Sequence, residues 1–412
     1  MTEKDLVVVI GLGYVGLPLA ILCSKSGYPT IGIDIDLKKV KNLEEGLFDS
    51  PDVDKRKLLD LIESGAISFT RDFEVVSRAR TIIICVPTPL GDDALPDLAF
   101  LRDAAVSIAP FLQPGTLVIS ESTSYPGTLE QVLIPIIERA RPDIYQHIQF
   151  AVAPERINPG SEVSVESIPR VVGAVNANSL SKASIFYRSL GIPVREVNSA
   201  RVAELSKLIE NTFRFVNISL INEIQEVCVR SGIDLREAID AAATKPYGFL
   251  PFYPGPGIGG HCIPVDSQYL QYFAMQNNFP LSAVEVARSI NSNMANLVLQ
   301  RVSRLLDPKK LSDGKLLVVG VAYKSNVPDT RETPALSLIE SLRDKGASVS
   351  WHDNLVLNWR DEESVALEKN YWSLSIVHTF HDALEIEVLK AQSEIIVDLT
   401  GRLRCDPSIV QL

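Results

Sequence analysis

A cysteine that could act as a nucleophile stands in the segment YPGPGIGGHCIPVD, residues 253–266. Three prolines and four glycines within these 14 residues are incompatible with a helix or a strand interior, so the whole segment is predicted to be a shaped loop. The glycines before Cys262 would let a substrate come close, and the loop after it would deliver Asp266. Most cysteines are small buried apolar residues, but these neighbours favour a nucleophilic role for Cys262.

Four further cysteines are scattered along the chain without a CxxC pair or a cysteine–histidine cluster: Cys23, Cys85, Cys228 and Cys405. This spacing predicts neither a disulfide framework nor a metal site, as is usual in a reducing compartment. His261, next to Cys262, could be a general base or the wall of a pocket. No second histidine stands near it in sequence to make a metal pair, and we leave it out of the predicted catalytic set.

The composition bounds the class of protein. The chain has 412 residues, of which 46% are hydrophobic and 22% charged, the usual balance of a globular protein with two or three domains. Its formal net charge of −11 argues against nucleic acid or an anionic membrane surface as a partner. No apolar run reaches the roughly 18 residues that span a bilayer, and no signal peptide is expected before the first strand. The sequence predicts a cytoplasmic protein.

A dinucleotide-binding turn is predicted near the start of the chain, in LVVVIGLGYVG. A buried strand ends in GxGxxG, a helix follows, and Asp34 ends the next predicted strand. Gly11 permits the tight turn, Gly13 lets the backbone approach a pyrophosphate, and Gly16 allows close helix–sheet packing. Because a carboxylate at Asp34 would bind ribose hydroxyls and repel a 2′-phosphate, NAD is favoured over NADP. A purely structural turn and an FAD site are the alternatives.

Predicted strands and helices alternate, which indicates a doubly wound α/β sheet. Strands are predicted at residues 6–10, 29–33, 81–86, 116–120 and 150–153, and helices at 15–25, 98–109 and 128–139. Residues 200–231 lack proline and glycine and predict one long helix, of the kind that bridges domains or packs on a second subunit. The α/β pattern restarts near Asp313, with a helix over 334–345 and a strand ending in Asp353. The predicted fold is α/β, with two Rossmann-like doubly wound domains joined by a long central helix and a helical middle domain.

Seven segments, taken in order, resemble the nucleotide-sugar 6-dehydrogenases, the family of UDP-glucose, UDP-N-acetylhexosamine and GDP-mannose dehydrogenases. They are VVVIGLGYVGLPLA, CVPTP (85–89), ESTSYPGT (121–128), APERINPG (153–160), ELSKLIENTFR (204–214), GGHCIPVD (259–266) and VAYKSNVPDTRET (321–333). The resemblance covers essentially the whole chain. Together with the pattern of elements, it places a NAD-binding domain over residues 1–199, a central helical and dimerisation domain with the cysteine loop over 200–305, and a Rossmann-like nucleotide-sugar-binding domain over 306–412.

The resemblance implies a reaction. The family oxidises the primary alcohol at C6 of a sugar to a carboxylate, with two NAD and one water. A thiolate at Cys262 would add to the aldehyde that the first hydride loss produces, and the thiohemiacetal would lose a second hydride to become a thioester. Water would then release the acid. Covalent capture would hold the aldehyde on the enzyme while NADH is exchanged for a second NAD.

Matching positions imply the other catalytic residues. Lys207 and Asn211, four apart and so on one face of the long helix, match a lysine and an asparagine beside the cysteine, where a cation stabilises developing oxyanions. Asp266 matches an aspartate that handles protons or positions water. Glu155 matches a glutamate linked to thioester hydrolysis, and Thr123 a threonine that helps hold the water. Taken singly, a surface charge, an ion pair or a turn would be the ordinary roles of these residues.

The resemblance also implies two sets of binding residues. The cofactor set is Gly11, Gly13, Tyr14, Val15, Gly16, Asp34, Lys39, Pro87, Thr88, Thr123 and Arg331. The substrate set is Glu155, Arg156, Lys207, Asn211, Arg214, Tyr253, Gly259 and Lys324. Lys324 and Arg331 match cations that meet phosphates, a task that suits the guanidinium fork. A surface charge is the alternative for Arg331.

Smaller differences point to the sugar. KPYGFLPFYPGPGIGGHCIPVD and ESTSYPGT look more like the UDP-N-acetylhexosamine branch than the UDP-glucose branch, whose loop commonly reads GFGGSC. Ser267 departs from the proline usual in the former branch, and VEVARSIN (284–291) looks closer to the N-acetylmannosamine type. UDP-GlcNAc is the first choice, UDP-ManNAc the second, and UDP- or dTDP-glucose the third.

The family also implies a homodimer or larger homo-oligomer, and uronic acids that usually feed surface polysaccharides. Two other readings of the chain are a two-electron NAD dehydrogenase with a structural Cys262, and a non-catalytic NAD-binding protein.

Overall fold

The structure, a computed structural model, describes residues 4–47, 53–156, 167–305 and 314–411. The chain divides into two compact units. We call Met1–Glu210 with Gln268–Phe279 the N-terminal unit, and Asn211–Ser267 with Pro280–Leu412 the C-terminal unit. The division into three domains at residues 199 and 305 stays a prediction, and its second boundary adjoins residues outside the described ranges.

An eight-stranded sheet forms the centre of the N-terminal unit. Its strands are β1 (Val7–Ile10), β2 (Thr30–Ile33), β3 (Ile67–Thr70), β4 (Thr81–Ile84), β5 (Leu117–Ser120), β6 (Gln149–Val152), β7 (Arg170–Ala174) and β8 (Val194–Glu196). Their order is β3-β2-β1-β4-β5-β6-β7-β8, and all neighbours are parallel except β6 and β7. Continuous apolar runs such as VVVI and TIII suit these strands, because helices cover both faces of a parallel sheet. The strand order reverses between β1 and β4, and ligands of such sheets bind at this reversal.

The helices of this unit flank the sheet. They are α1 (Gly16–Lys25), α2 (Leu37–Glu44), α3 (Lys55–Glu63), α4 (Ala99–Ile108), α5 (Ile134–Ala140) and α6 (Ala177–Ser189). The helix predicted over 128–139 is not continuous: it begins as a π-helical segment, Leu129–Leu133, and only then becomes α5. Pro135 lies in the first turn of α5 and has no N–H to donate, so the regular α-helical ladder is interrupted there.

The long helix α7 spans Ala200–Ser231, which confirms the bounds predicted for it. It is amphipathic and carries charged residues along its length. In the described part of the chain, neither α7 nor any other helix has the length and apolarity to cross a bilayer.

A five-stranded parallel sheet forms the core of the C-terminal unit, in the order β10-β9-β13-β14-β15. Its strands are β9 (Lys315–Val319), β10 (Ser348–His352), β13 (Leu374–Val377), β14 (Ile396–Asp398) and β15 (Val410–Gln411), and β11 (Asn358–Trp359) pairs with β12 (Glu362–Glu363) in a separate hairpin. The remaining helices are α8 (Leu235–Ala243), α9 (Ile263–Gln276), α10 (Ser282–Ser292), α11 (Met294–Leu305), α12 (Pro334–Asp344) and α13 (Ile386–Ala391). The predicted α/β fold with two Rossmann-like sheets is confirmed.

Asp353 directly follows β10 as Asp34 directly follows β2, but its carboxylate has a structural task. It is 1% exposed, accepts from backbone N–H groups that include those of Val321 and Ala322, and lies 3.2 Å from His381 Nε2. Although burial would raise it, the hydrogen bond with His381 and those from the backbone N–H groups of Leu355 and Val356 lower the pKa of Asp353 to about 2. The carboxylate thus fixes the turn after β9.

Candidate active site

The turn after β1 has the geometry of a dinucleotide-binding turn. Gly11 has a φ of +87°, and a Cβ there would lie 2.6 Å from the carbonyl oxygen of Cys85. A Cβ on Gly16 would lie 1.8 Å from the carbonyl oxygen of Gly11, so only glycine lets α1 pack this closely. Around Gly13, by contrast, a Cβ would meet no protein atom within 4 Å. A glycine beside open space suits a position where a phosphate approaches the backbone.

Asp34 is held at the mouth of this turn. Its Oδ2 accepts from Leu12 N and from Lys39 Nζ, each at 2.9 Å, and its Oδ1 accepts from Asp36 N at 3.0 Å. The residue is 7% exposed. A carboxylate oxygen has two lone pairs, so Oδ1 can accept a further hydrogen bond from a ribose hydroxyl.

The other members of the predicted cofactor set in this unit stand at the same edge of the sheet. Tyr14 and Val15 precede α1, Pro87 and Thr88 follow β4, and Thr123 follows β5. No side chain caps α1, so the backbone N–H groups of its first turn can bind phosphate oxygens. Ser122 Oγ donates to the carbonyl oxygen of Val86 at 2.7 Å and ties the segment after β5 to the segment after β4. The residues present therefore fit NAD.

Replacing Asp34 with asparagine is expected to weaken the preference for NAD over NADP. The substitution removes the charge that repels a 2′-phosphate and releases Lys39 to pair with it. We expect the ratio of kcat/KM for NAD to that for NADP to fall about 100-fold. Initial rates with each cofactor measure this, and Asp36→Asn, at the cap of α2, is the matched control. An unchanged ratio would show that Asp34 does not face the ribose.

Cys262 has an exposed side chain at the start of a helix. Its carbonyl oxygen accepts from Asp266 N at 2.8 Å, and α9 begins at Ile263. The prediction of a continuous loop over 253–266 is therefore wrong from Ile263 onwards, because the first turn of a helix tolerates a proline such as Pro264. A helical turn, not a loop, places Asp266. The positive end of α9 therefore lies next to Cys262.

The loop before Cys262 is fixed by contacts within the C-terminal unit. The side chain of Asn291 makes two hydrogen bonds to the backbone of Ile258. Its Oδ1 accepts from Ile258 N at 2.7 Å, and its Nδ2 donates to the Ile258 carbonyl oxygen at 3.1 Å. Asn222 Oδ1 accepts from Gly255 N at 2.9 Å. The segment is thus anchored at two points before it reaches the thiol.

Two glycines in the loop pack against the segment 321–333. A Cβ on Gly259 would lie 2.5 Å from the carbonyl oxygen of Glu332, and one on Gly260, whose φ is +81°, would lie 2.5 Å from the ring of Tyr323. These contacts within the unit already require glycine at both positions, and the expected role of the glycines, room for a substrate, stays a prediction. Any binding of substrate by Gly259 would involve its backbone, and that role stays a prediction.

Replacing Asn291 with alanine is expected to lower kcat about 10-fold to 100-fold. The substitution removes both hydrogen bonds to Ile258 and loosens the loop that presents the thiol, and a displacement near 1 Å has effects of this size on catalysis. Steady-state kinetics measure the change. Asn296→Ala, an exposed asparagine on α11, is the control that should leave kcat unaltered. Equal activity of the two variants would contradict a positioning role for Asn291.

Helix α7 carries Lys207 and Asn211, and both side chains are buried. Asn211 Nδ2 donates to Asp266 Oδ2 at 2.5 Å, so two predicted catalytic residues are in contact. Lys207 is 8% exposed, and its ammonium group has no ion-pair or hydrogen-bond partner among the described residues. A buried cation without an anion is suited to receive charge from a ligand.

Glu204 fixes the beginning of α7, one turn before Lys207. Its carboxylate accepts from Gly127 N at 2.5 Å and from Leu129 N at 3.0 Å. Burial raises the pKa of Glu204 to about 7, although these two N–H groups oppose the shift. Since the segment 121–128 also carries Thr123, Glu204 holds the helix and that threonine in one rigid part of the N-terminal unit.

Glu155 belongs to a buried charged cluster. Its Oε2 lies 2.5 Å from Nη1 of Arg170, and the same nitrogen lies 3.4 Å from Glu121 Oε2. The hydroxyl of Tyr187 donates to Glu121 Oε1. Arg156 N donates to Glu155 Oε1 at 2.5 Å. The predicted catalytic glutamate is therefore a member of a network and not an isolated base.

Sequence reasoning missed the partners of Glu155. Glu121 directly follows the buried run LVIS of β5, and Arg170 directly precedes the buried run VVGA in β7. A charge next to a buried strand is normally paired, and that signal was available in the sequence. Tyr187 lies on α6, and nothing in the sequence around it indicates that it contacts a buried carboxylate.

The other predicted binding residues have ordinary contacts. Arg331 donates to both carboxylate oxygens of Asp329, and Tyr253 donates to Asp240 Oδ1 at 2.6 Å. The predicted substrate set also includes Arg156, Arg214 and Lys324. Arg156 pairs with Glu210, Arg214 is exposed, and Lys324 is half-buried. Their roles toward a substrate or cofactor stay predictions. Burial lowers the pKa of His261, which suits the wall of a pocket.

Comparison with known families covers nearly the whole chain. Models of the UDP-glucose/GDP-mannose dehydrogenase family match in three consecutive parts: its NAD binding domain at residues 5–191, its central domain at 201–293 and its UDP binding domain at 317–401. The chain belongs to the UDP-glucose/GDP-mannose dehydrogenase family. It is an NAD-dependent nucleotide-sugar dehydrogenase, and its UDP binding domain includes Lys324 and Arg331.

Individual relatives of this dehydrogenase agree with the family. It is 36% identical to the UDP-N-acetyl-D-mannosamine dehydrogenase of Methanocaldococcus jannaschii over 84% of its own length and 78% of the relative's. It is also 36% identical to the UDP-N-acetyl-D-glucosamine 6-dehydrogenase of Pseudomonas aeruginosa, over 85% of its own length and 83% of the relative's. The solved UDP-D-ManNAc dehydrogenase of Pyrococcus horikoshii superposes with a TM-score of 0.86 at 31% identity and covers 95% of this chain, which covers 94% of that structure.

Proposed function

We propose that this dehydrogenase oxidises C6 of a UDP-N-acetylhexosamine to a carboxylate through a covalent intermediate on Cys262. The observation that carries the proposal is the exposed thiol at the N-terminus of α9, at the end of a loop anchored by Asn291 and Asn222. An exposed cysteine at a helix N-terminus is predisposed to be a thiolate. A structural cysteine needs neither the exposure nor the anchored loop.

The proposed reaction consists of two hydride losses from C6, the addition of the Cys262 sulfur between them, and a final hydrolysis. C6 of the sugar loses a hydride and its hydroxyl proton and becomes an aldehyde; NAD supplies the hydride acceptor in both oxidations. The Cys262 thiolate then bonds to C6, and the carbonyl oxygen becomes an alkoxide. As C6 loses the second hydride, this oxygen forms a double bond to C6 again and the product is a thioester. Water attacks the thioester carbon, the C–S bond breaks, and the thiolate is regenerated.

We assign three residues to the two oxidations: Lys207 and Asn211 on α7, and Asp266 on α9. Lys207 stabilises the alkoxide and oxyanion by its charge, which suits a buried ammonium without another described anion. Asn211 holds the carboxylate of Asp266 through the 2.5 Å hydrogen bond. Asp266, one turn after Cys262 on α9, then accepts or returns protons.

Glu155 and Thr123 are assigned to hydrolysis. Glu155 takes the proton of the attacking water, and Thr123, half-buried after β5, holds that water through its hydroxyl. Lys324 and Arg331 are assigned to phosphates, Lys324 to the substrate and Arg331 to the cofactor.

UDP-GlcNAc is the proposed sugar, and UDP-ManNAc is the second candidate. Both sugars are N-acetylated, as in the relatives from P. aeruginosa and M. jannaschii. The segment KPYGFLPFYPGPGIGGHCIPVD favours a UDP-N-acetylhexosamine over UDP-glucose, whereas VEVARSIN and the solved relative from P. horikoshii favour UDP-ManNAc within that class. The reducing cytoplasm, where the thiol of Cys262 persists, is the proposed location.

The test is the amount of NADH formed per molecule of nucleotide sugar consumed, with UDP-GlcNAc, UDP-ManNAc and UDP-glucose in parallel. We expect two NADH per sugar and the highest kcat/KM with UDP-GlcNAc. A higher kcat/KM with UDP-ManNAc would select the second candidate. One NADH per sugar would favour the two-electron dehydrogenase and overturn the covalent mechanism.

We also propose that the dehydrogenase is a homodimer that covers an apolar stripe of α7. Exposed Phe213, Leu220, Ile224 and Val227 recur at helical spacing on the part of α7 in the C-terminal unit. Such contiguous apolar surface is unusual on a monomer, and the family resemblance supplies a second copy as its partner.

Replacing Val227, which is 62% exposed, with arginine is expected to weaken the dimer at least about 100-fold, because a charge would be buried at the interface. Light scattering after size exclusion, over a range of protein concentrations, measures the change. Val286→Arg, at a valine on α10 that is 56% exposed, is the control. A wild-type protein that is monomeric at all concentrations would contradict the proposal.

A further inference from the structure

Glu155 shares its arginine with a second buried carboxylate. Nη1 of Arg170 lies between Glu155 Oε2, at 2.5 Å, and Glu121 Oε2, at 3.4 Å. Tyr187 donates a hydrogen bond to the other oxygen of Glu121 and lies with its ring centroid 5.4 Å from the guanidinium. All four side chains are less than a tenth exposed. Two carboxylates therefore compete for one buried cation.

The charges of this cluster do not cancel when both carboxylates are ionised. Burial raises the pKa of Glu121 to about 7; the charge of Arg170 opposes this shift and the charge of Glu155 adds to it. Glu121 Oε2 has no hydrogen-bond donor among the described residues. A proton on that oxygen would satisfy it and relieve the repulsion between the carboxylates.

Among the other titratable groups that face Glu121, the two thiols and the tyrosine hydroxyl stay neutral near pH 7 and the guanidinium stays charged. Burial raises the pKa of the thiols of Cys23 and Cys85. Burial likewise raises the pKa of Tyr187, so its hydroxyl remains a donor. Burial alone would lower the pKa of Arg170, but the two carboxylates raise it, so the guanidinium stays charged. Within this cluster, proton uptake near neutral pH thus belongs to Glu121, beside the charge of Glu155.

We propose that Glu121 and Glu155 form one coupled acid–base unit around Arg170, in which Glu121 is a positioning residue that maintains the basicity of Glu155. This inference rests on the proposed function, since it concerns the hydrolysis of the thioester. Arg170 alone would make Glu155 a weak base, because a carboxylate paired with a buried guanidinium binds protons poorly. The negative charge of Glu121 offsets that effect.

The proton can be followed through the step. As the water oxygen bonds to the thioester carbon, Glu155 takes one water proton and the C–S bond breaks to release the thiolate of Cys262. The proton is then shared between Glu155 and Glu121, and it leaves to solvent before the next turnover. The second water proton leaves from the carboxylic acid product. No electrons are transferred in this step.

The experiment isolates hydrolysis by reacting enzyme with excess NAD and limiting UDP-GlcNAc or UDP-ManNAc, followed by acid quench and intact-protein mass spectrometry. In Glu121→Gln the amide keeps the hydrogen bond from Tyr187 but removes the charge. We expect hydrolysis to slow about 10-fold and the acyl-enzyme to accumulate, while the two NADH of the first turnover form at the normal rate. The rise of the hydrolysis rate with pH should move to lower pH by about one unit, because Glu155 loses the nearby negative charge that offsets the charge of Arg170.

Tyr187→Phe provides the opposite shift. It keeps all charges but removes the hydrogen bond that stabilises ionised Glu121, so the pair binds its proton more tightly. The rise of the hydrolysis rate should then move to higher pH, by about half a unit to one unit. A purely structural role of the cluster would slow both variants without moving their pH profiles in opposite directions.

Two failures can be told apart. Glu155→Gln should trap the acyl-enzyme if hydrolysis proceeds as proposed; absence of any Cys262 adduct in this variant would overturn the proposed function. If the adduct forms there but the pH profiles of Glu121→Gln and Tyr187→Phe match the wild type, the coupled pair is refuted and the covalent mechanism stands.

Discussion

Replacing Cys262 with serine is expected to lower the rate of carboxylate formation about 10³-fold or more. Serine keeps the size and position of the side chain, but its hydroxyl is far less acidic than a thiol and does not become a nucleophile at the start of α9. The first hydride loss does not need the sulfur, so the variant should make at most one NADH per sugar and release or retain the aldehyde. The NADH yield per sugar, with an aldehyde-trapping hydrazine in the assay, measures both effects.

Cys405 provides the matched control. It is the other cysteine with an exposed side chain, and it lies near the end of the chain, far in sequence from the glycine-rich loop. Cys405→Ser should retain the wild-type rate and two NADH per sugar. A Cys262→Ser variant that completed four-electron oxidation at the wild-type rate would remove the covalent step from the mechanism and leave a structural cysteine.

Much of the N-terminal unit could be predicted because its signals are local. The GxGxxG turn needs glycine at Gly11 and Gly16 for steric reasons that involve neighbouring strands, and the strands themselves are continuous apolar runs. Helix α7 was predicted with its bounds. A run of 32 residues that lacks proline and glycine and has apolar residues at helical spacing is compatible with few structures other than a helix.

Contacts between residues distant in sequence explain the features that were missed. The glycines at 259 and 260 were assigned to substrate access, but their neighbours are Glu332 and Tyr323, more than 60 residues further along the chain. Glu121 and Tyr187 are separated by 66 residues, and nothing in the local pattern of either predicts their hydrogen bond. A single sequence shows which residues are unusual, but not which of them meet.

Local ambiguity explains the remaining error at the active-site loop. Pro264 reads as a loop residue when it follows two other prolines, yet a proline in the first turn of a helix costs no hydrogen bond. The consequence is functional, because the helix that begins at Ile263 places its positive end beside Cys262 and puts Asp266 one turn away, in contact with Asn211.

Replacing Lys207 with alanine is expected to lower kcat about 10²-fold to 10³-fold and to change KM for the sugar little. The side chain is buried on α7 and has no ion-pair or hydrogen-bond partner among the described residues, so its charge is available to the alkoxide and oxyanion of the proposed oxidations. An interaction made mainly in the transition state affects kcat and not KM. Steady-state kinetics with the preferred sugar, together with the rate of the first NADH burst, measure the effect on chemistry.

Two further variants make the result specific. Lys182→Ala removes an exposed lysine of the same unit and should leave kcat unchanged, whereas Lys207→Arg keeps the charge and should recover part of the lost rate. Recovery by arginine would not be expected if Lys207 acted only through packing, because the longer guanidinium fits a buried aliphatic site less well than lysine. If alanine and arginine variants were equally impaired and the protein's melting temperature fell with both, Lys207 would be a structural residue. A burst of NADH that persists in Lys207→Ala with slow steady-state turnover would instead assign its charge to hydrolysis and not to hydride transfer.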